Sequence, residues 1–266
     1  MATPGTPVVF VHGLWLHASS WGPWIDRFRE AGYDPVAPGW PGERETVEDA
    51  RNQPDAVARN GVGEVVAHFL EVIGGLARKP IAVRHSFGGL VVQRLLAEGH
   101  VSAAVALDPA PVKGVLALPP SAIRVASVAL RNPANRGRAV ALSRKQFRYA
   151  FCNAVPEPES DQLYDRWTIP SPGRPLFEAA VANFMPGSPL KVDTKRDDRG
   201  PLLITTGGKD HAVPPAMSRG ALKLYRKSGA VTDHHEFPDR GHSLGVDSGW
   251  SEVAEVALGW LEKQSV

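Results

Sequence analysis

The 266-residue sequence has a single cysteine, almost no excess of charge, and no apolar run that approaches the ~20 residues needed to span a bilayer. Because Cys152 has no second cysteine to pair with, an intrachain disulfide is excluded and a reducing compartment is expected. Thirty basic residues stand against 28 acidic ones, and a net charge of +2 argues against general affinity for nucleic acid. Residues 1–6 have neither the charged nor the apolar region of a signal peptide. We therefore expect a cytoplasmic protein.

A chain of this length can bury one large hydrophobic core. Short apolar runs alternate along it with amphipathic stretches of helical period. This alternation predicts an α/β fold whose mostly parallel sheet is covered by helices on both faces. The predicted strands are residues 7–11, 33–37, 80–85, 103–107, 201–206 and 231–237, and the predicted helices are residues 20–31, 62–77, 87–98, 214–227 and 249–263.

An insertion, residues 111–199, interrupts this alternation. We interpret it as a helical cap, or lid, over the carboxyl edge of the sheet, where it closes a pocket and selects the substrate. The core of the fold is then formed by residues 1–110 and 200–266. The insertion has four helix-like stretches separated by proline, glycine and asparagine, at residues 121–130, 143–153, 160–168 and 176–185.

A serine lies where one strand is predicted to end and a helix to begin. The sequence of residues 84–89 is RHSFGG, between a short apolar run and an amphipathic one. This setting is typical of a nucleophile elbow, whose usual pattern is G-x-S-x-G. The sharp turn lifts the serine oxygen clear of the sheet, beside a helix N-terminus that favours developing negative charge. Ser86 is therefore the candidate nucleophile.

A serine nucleophile needs a base to take its proton and a carboxylate to orient that base. His242 lies in the loop after the last predicted strand, and Asp210 lies in the loop GGKDH after the preceding strand. Both positions are outside the carboxyl edge of a parallel sheet, where such folds place functional groups. Asp108, at the end of an earlier strand, is the alternative acid, and Asp210 is preferred. His12 and His85 are expected to form structural hydrogen bonds.

The first predicted strand ends in the sequence HGLW at residues 12–15, which adds a fourth motif to the nucleophile, acid and base. With these motifs in this order, the chain resembles the α/β-hydrolase superfamily, as a serine hydrolase with a cap. Its compact start and its Ser-x-Gly-Gly elbow are similar to those of the methylesterase and hydroxynitrile lyase branch. The resemblance implies that the backbone N–H groups of Leu14 and Phe87 form the oxyanion hole.

The resemblance also implies catalysis through an acyl-enzyme. His242, oriented by Asp210, would deprotonate Ser86, which attacks a carbonyl carbon, and water would then hydrolyse the acyl-enzyme. The expected substrate is a carboxylic ester of a small molecule, with a lactone, a thioester or a carbon–carbon bond as alternatives. Hydroxynitrile lyase activity is not expected, because Ser243 stands where those relatives carry lysine. No cofactor or metal ion is expected, and the sequence leaves the oligomeric state open.

Arg84 departs from the family pattern, in which glycine stands two residues before the nucleophile. Glycine is usual there because strand and helix approach closely, and a Cβ would crowd the turn. Arg84 is therefore expected to strain the elbow or to tilt Ser86 away from His242. This departure supports a second hypothesis, in which the chain is a small-molecule-binding protein on the same fold with little or no catalysis.

Aromatic residues are the candidates for the walls of a substrate pocket. Most aromatics at helical spacing serve packing, and we expect only two or three of these to contact a ligand. The candidates are Phe147, Phe151, Trp167, Phe177 and Phe184 in the insertion, with Trp15 and Phe87 in the core.

Charge is unevenly distributed in the insertion. Residues 111–150 carry eight basic side chains and no acidic one, whereas four acidic residues follow within residues 157–165. An anionic substrate or contact with a membrane surface would explain this asymmetry. We favour the alternative, in which the basic half pairs with the acidic half and with solvent.

Overall fold

The computed structural model of the protein describes residues 5–264. The strands in this part of the chain are β1 (Pro7–Val11), β2 (Asp34–Val36), β3 (Ile81–His85), β4 (Ala103–Leu107), β5 (Ala139–Val140), β6 (Ser171–Pro172), β7 (Leu202–Gly207) and β8 (Thr232–Phe237). Six of them form one parallel sheet in the order β2-β1-β3-β4-β7-β8, and β5 pairs antiparallel with β6.

Helices connect the strands of the large sheet and fill the insertion. They are α1 (Gly22–Glu30), α2 (Val47–Asn52), α3 (Val62–Gly74), α4 (Phe87–Ala97), α5 (Pro120–Leu130), α6 (Arg144–Ala150), α7 (Glu157–Trp167), α8 (Arg174–Val181), α9 (Pro215–Tyr225) and α10 (Trp250–Gln264). Short 3₁₀ helices lie at Ala18–Trp21, Pro54–Ala56, Pro133–Gly137 and Ala182–Phe184. Among residues 5–264, none of these helices is both long and apolar enough to cross a bilayer.

Both faces of the parallel sheet are covered because the inner strands are apolar on both sides. On β1, Val8 and Phe10 pack into the cluster that contains residues of α1 and α10. Val9 and Val11, which point the other way, pack into the cluster that contains residues of α3, α4 and α9. The predicted α/β fold, a mostly parallel sheet with helices on both faces, is confirmed.

The insertion lies between β4 and β7, two strands that are adjacent in the sheet. Four α-helices, α5 to α8, fill it at the places where helix-like stretches were predicted, and their ends differ by at most four residues from the prediction. The pair β5–β6 and helix α2 were not predicted from the sequence. The division into a core and a cap stays a prediction.

Candidate active site

Ser86 occupies a sharp turn between β3 and α4. Its backbone has φ 54° and ψ −122°, a conformation that non-glycine residues seldom adopt and that costs roughly 1–3 kcal/mol. Two backbone hydrogen bonds support the turn: the Ser86 N–H donates to the Leu107 carbonyl, and the Ala110 N–H donates to the Ser86 carbonyl, both at 2.9 Å. Strained backbone that is held in place in this way is common at catalytic residues.

Two glycines let the end of β1 lie directly against this turn. A Cβ on Gly13 would lie 2.6 Å from the Ser86 Cβ, and a Cβ on Gly88 would lie 2.6 Å from the Val11 carbonyl oxygen. Real Cβ atoms essentially never come so close. The HGLW segment and the SFGG segment therefore need glycine at these positions to bring residues 13–15 beside the serine.

His242 and Asp210 meet at the carboxyl edge of the sheet, where both side chains are buried. The Asp210 Oδ2 lies 2.6 Å from the His242 Nδ1. The other carboxylate oxygen of Asp210 accepts the N–H groups of Ala212 at 2.6 Å and Val213 at 2.8 Å, which fixes the carboxylate. Since Nδ1 is engaged with Asp210, the Nε2 of His242 is the ring nitrogen available to exchange a proton with a reactant.

Asp108 lies behind this pair, at the end of β4, with φ 42°. Its Oδ1 accepts the Gly207 N–H at 2.7 Å, and its Oδ2 is 3.9 Å from the His242 Nδ1 with no hydrogen-bond partner among the described residues. Burial and the neighbouring Asp210 carboxylate raise the pKa of Asp108 well above its usual range. The structure thus brings both acids that sequence reasoning considered to the same histidine, with Asp210 in direct contact.

Glu43 contacts His12, the first residue of the HGLW segment, and was not identified from the sequence. It is buried, with Oε2 2.9 Å from the His12 Nε2 and Oε1 accepting the Ala18 N–H at 2.9 Å. Burial opposes its ionisation, but His12 and the Ala18 N–H outweigh that effect and lower the pKa of Glu43. In the sequence Glu43 stands in a polar stretch, GERE, that gives no sign of burial. The Nδ1 of His12 lies 2.8 Å from the Gly13 carbonyl oxygen, and a purely structural role for His12 stays a prediction.

The backbone N–H groups of Leu14 and Phe87 have no acceptor among residues 5–264. That of Phe87 is the first of helix α4, whose opening N–H groups have no partner within the helix. The next residue of the HGLW segment, Trp15, donates its N–H to the Ser171 Oγ at 2.5 Å and its indole N–H to the Val140 carbonyl at 2.9 Å. The loop that carries Leu14 is therefore attached to the insertion.

A cavity of about 300 Å³ lies between the sheet edge and the insertion, and Ser86 and His242 both line it. The rest of the wall is apolar, and no charged side chain lines it. Helix α5 contributes the largest share of the wall, through Ala122, Ile123, Val125, Ala126 and Leu130.

Of the aromatic residues singled out in the sequence, the structure places Trp15, Phe87 and Phe151 at this cavity. Four others lie outside its lining: Phe147, Trp167, Phe177 and Phe184. Phe147 is buried behind Phe151, with ring centroids 5.0 Å apart, and Trp167 is buried at the end of α7. Phe177 lines a groove between α3 and α8, and Phe184 is 87% exposed.

A family profile described as the alpha/beta hydrolase family matches residues 8–256. The chain belongs to this family. No curated protein matches the sequence. Among solved structures, a monoacylglycerol lipase from Paleococcus ferrophilus is 22% identical with a TM-score of 0.66, over 98% of this chain and 97% of the lipase.

Two further solved structures from different organisms are similar. A thermophilic esterase from Thermogutta terrifontis is 17% identical with a TM-score of 0.67, over 100% of this chain and 92% of the esterase. A methylesterase from Arabidopsis is 16% identical with a TM-score of 0.64, over 97% of this chain and 99% of the methylesterase. At these identities the likeness shows the α/β-hydrolase fold, which the elbow, the acid and the histidine suggested from the sequence.

Arg84, the departure from the α/β-hydrolase elbow pattern, is accommodated in β3 between Val11 and Ala106. Its side chain is fully buried on the α3 side of the sheet, with the guanidinium carbon 4.4 Å from the centre of the Phe69 ring. None of its three guanidinium nitrogens has a hydrogen-bond partner among the described residues. Burial lowers the pKa of Arg84 well below its usual range. The cost of this residue here is therefore the desolvation of a charge.

His85 packs against His242, with ring centroids 4.4 Å apart. Its Nε2–H donates to the His242 carbonyl oxygen at 2.8 Å, and burial with the nearby His242 lowers the pKa of His85 well below its usual range. Ligand atoms of His85, Asp108 and His242 lie within 4.8 Å of one another. Because Asp210 binds the His242 Nδ1 and His85 donates to backbone, these contacts fit a hydrogen-bonded site better than a set of metal ligands.

Proposed function

We propose that this α/β hydrolase cleaves uncharged carboxylic esters of small molecules through an acyl-enzyme on Ser86. One observation carries the proposal: a serine in a strained elbow and a histidine paired with a buried carboxylate open into one apolar cavity. A protein that only binds a ligand needs neither the strained elbow nor the contact between His242 and Asp210, because apolar walls alone supply affinity.

The reaction follows from the positions of these groups. The Ser86 Oγ attacks the carbonyl carbon of the ester and its proton passes to the His242 Nε2, while Asp210 stabilises the imidazolium through Nδ1. The tetrahedral intermediate collapses, the bond to the alcohol oxygen breaks, and His242 gives the proton to the departing alcohol. Water then attacks the acyl-enzyme by the same route, with His242 as its base, and releases the acid and free Ser86.

The negative charge on the carbonyl oxygen needs donors in place before the reaction begins. The N–H groups of Leu14 and Phe87 are free of other acceptors and flank the serine, which supports their assignment as the oxyanion hole. Each such donor is worth about 3 kcal/mol of transition-state stabilisation. Their placement depends on Gly13, since any side chain there would collide with Ser86.

The walls of the cavity select the substrate. They carry no charged side chain, so a substrate with a carboxylate or phosphate near the scissile bond would lose its hydration without gaining a partner. Because α5 and α8 of the insertion form much of the wall, the insertion acts as the cap in this proposal. The similar structures are those of an esterase, a methylesterase and a lipase, which supports ester hydrolysis over thioester or carbon–carbon cleavage.

The proposal is tested by incubating the protein with a fluorophosphonate probe and sequencing the labelled peptide by mass spectrometry. We expect one adduct, on Ser86, and loss of both the adduct and p-nitrophenyl butyrate hydrolysis in Ser86→Ala. The matched control is Ser243→Ala. Ser243 follows His242 in the sequence and is also buried, but its hydroxyl donates to Asp247 at 2.7 Å. A folded protein that gives no adduct would favour the ligand-binding alternative.

A further inference from the structure

The large hydrophobic side chains that this protein exposes are concentrated on the insertion. Among residues 5–264, eight such residues are exposed, and six of them lie in residues 116–123 and 181–185. Leu116 is 77% exposed and Phe184 is 87% exposed, so the rest of the described chain covers little of either side chain. The six are Leu116, Leu118, Ile123, Val181, Phe184 and Met185.

Hydrogen bonds hold the two segments side by side, so that the six residues form one surface, the apolar rim. The Gly114 N–H donates to the Asn183 Oδ1 at 2.7 Å, and the Asn183 amide donates to the Val115 carbonyl at 2.9 Å. The apolar rim also borders the cavity of the candidate active site, because Leu118 and Ile123 line that cavity. An apolar surface around a pocket mouth marks an interaction site rather than scattered exposure.

Most basic side chains in the first part of the insertion, residues 111–150, have no acidic partner in the described chain. Of the eight basic side chains in residues 111–150, only Arg144 forms an ion pair within the described chain, with Asp161 and Asp165. Pairing with the acidic half therefore accounts for one of the eight. Three others, Arg124, Arg131 and Lys145, line a cleft of about 230 Å³ between α5 and α6 that has no acidic residue in its wall.

Helix α5 joins the apolar and the basic features. One side of it lines the candidate active-site cavity and the other side lines the basic cleft, with Val125 at both. Ile123 and Arg124, adjacent on this helix, are both exposed. Arg124 lies over the Tyr149 ring, 3.9 Å from its centre, and has no acidic partner in the described chain. A surface that meets α5 would therefore contact hydrophobic side chains and positive charge without acidic partners at once.

We infer that the apolar rim and the basic cleft dock this protein onto an anionic lipid surface. Hydrophobic side chains enter the boundary between headgroups and acyl chains, while arginine and lysine remain at the phosphates. A second copy of this chain is a poorer occupant, because self-association through this face would bring together the basic side chains of two copies, with no acidic residue in the cleft between them. Docking in this orientation places the cavity mouth at the lipid surface.

The test is flotation with phosphatidylcholine vesicles, with and without phosphatidylglycerol, in the Ser86→Ala background so that binding is measured apart from the proposed hydrolysis. We expect binding to the anionic vesicles. The double variant Arg131→Gln/Lys145→Gln should partition about thirtyfold more weakly, from the loss of two basic residues at the surface. Leu116→Ser/Phe184→Ser should also weaken binding at least about tenfold, and raising the salt concentration should weaken the parent.

Matched controls carry the same chemical changes elsewhere on the protein. Val36→Ser/Val231→Ser removes the two exposed hydrophobic residues outside the insertion, and Lys223→Gln/Lys227→Gln removes two exposed charges near α9. Both controls should bind like the parent, and thermal midpoints should show that all variants fold. The inference is overturned if the parent does not bind anionic vesicles, or if controls and test variants lose binding equally. A dimer that Leu116→Ser/Phe184→Ser dissociates, without vesicle binding by the parent, would assign the surface to self-association.

Discussion

Asp108 and Asp210 approach the same nitrogen of one imidazole, with carboxylate oxygens 3.9 Å and 2.6 Å from the His242 Nδ1. Two acids so close together in a buried site do not both ionise easily, and the proton is expected on Asp108, whose pKa is raised. Asp210 then orients the histidine directly, while Asp108 holds the Gly207 N–H and the acid loop in place.

The two acids are distinguished by amide substitution. Asp210→Asn should lower kcat for p-nitrophenyl butyrate by about 10⁴-fold, because an amide at this contact favours the wrong histidine tautomer. Asp108→Asn should lower kcat less than about tenfold, because the amide resembles the protonated acid and can still accept from Gly207. Steady-state kinetics on both purified variants decide the assignment. The reverse ranking would make Asp108 the acid of the triad.

Asp108 should also make the stability of the protein depend on pH. Its folded pKa is raised above the ordinary value of 3.8, so between that value and the raised pKa the folded protein holds a proton that the unfolded chain has lost. The free energy of unfolding should therefore fall as pH rises through this window. Because asparagine does not titrate, Asp108→Asn should gain stability relative to the parent as pH rises above 3.8, as measured by urea unfolding. A constant difference between the two proteins would contradict the raised pKa.

The sheet, and the grouping of three candidate site residues at one edge of it, were predictable from the sequence for a physical reason. Buried parallel strands are continuous apolar runs, and residues at their carboxyl ends share one edge, so Ser86, Asp210 and His242 could be placed together from the sequence alone. The burial of Glu43 could not be predicted from the sequence, because it depends on the tertiary structure that brings this residue into contact with His12. Nothing in the neighbouring residues indicates that contact.

The insertion was harder to interpret than the core. Its helices were predicted from the local hydrophobic period of the sequence. The aromatic residues that line the cavity could not be predicted in the same way, because their positions depend on how the helices pack on one another. Phe147 and Phe151 are four residues apart on one helical face, yet only Phe151 reaches the cavity, because Phe147 stacks behind it. The alanines of α5 and α8 that form much of the wall carry no sequence signal for a pocket.

Arg84 should destabilise the fold more than it impairs the reaction. Its guanidinium is buried without a hydrogen-bond partner among the described residues, whereas the Ser86 turn keeps both of its backbone hydrogen bonds. Arg84→Met removes the buried charge and retains most of the volume, so the free energy of unfolding should rise by about 1–3 kcal/mol. Arg84→Lys keeps a buried charge and is the control that should show no gain. Urea unfolding with no gain in Arg84→Met would mean that the guanidinium has a partner in solution.

The cavity should set the length of acyl chain that the protein accepts. If the acyl group lies along the apolar wall, kcat/KM in the parent should rise by up to about fourfold for each methylene from acetate to hexanoate p-nitrophenyl esters. Ala126 lies in that wall on α5, and Ala126→Phe should abolish the rise while leaving acetate hydrolysis within about threefold of the parent. The control, Ala134→Phe, adds the same ring at an exposed position outside the cavity and should keep the parent profile. Equal losses for acetate and hexanoate in Ala126→Phe would show that the acyl chain does not occupy this wall, because steric exclusion from a pocket must grow with the length of the group excluded.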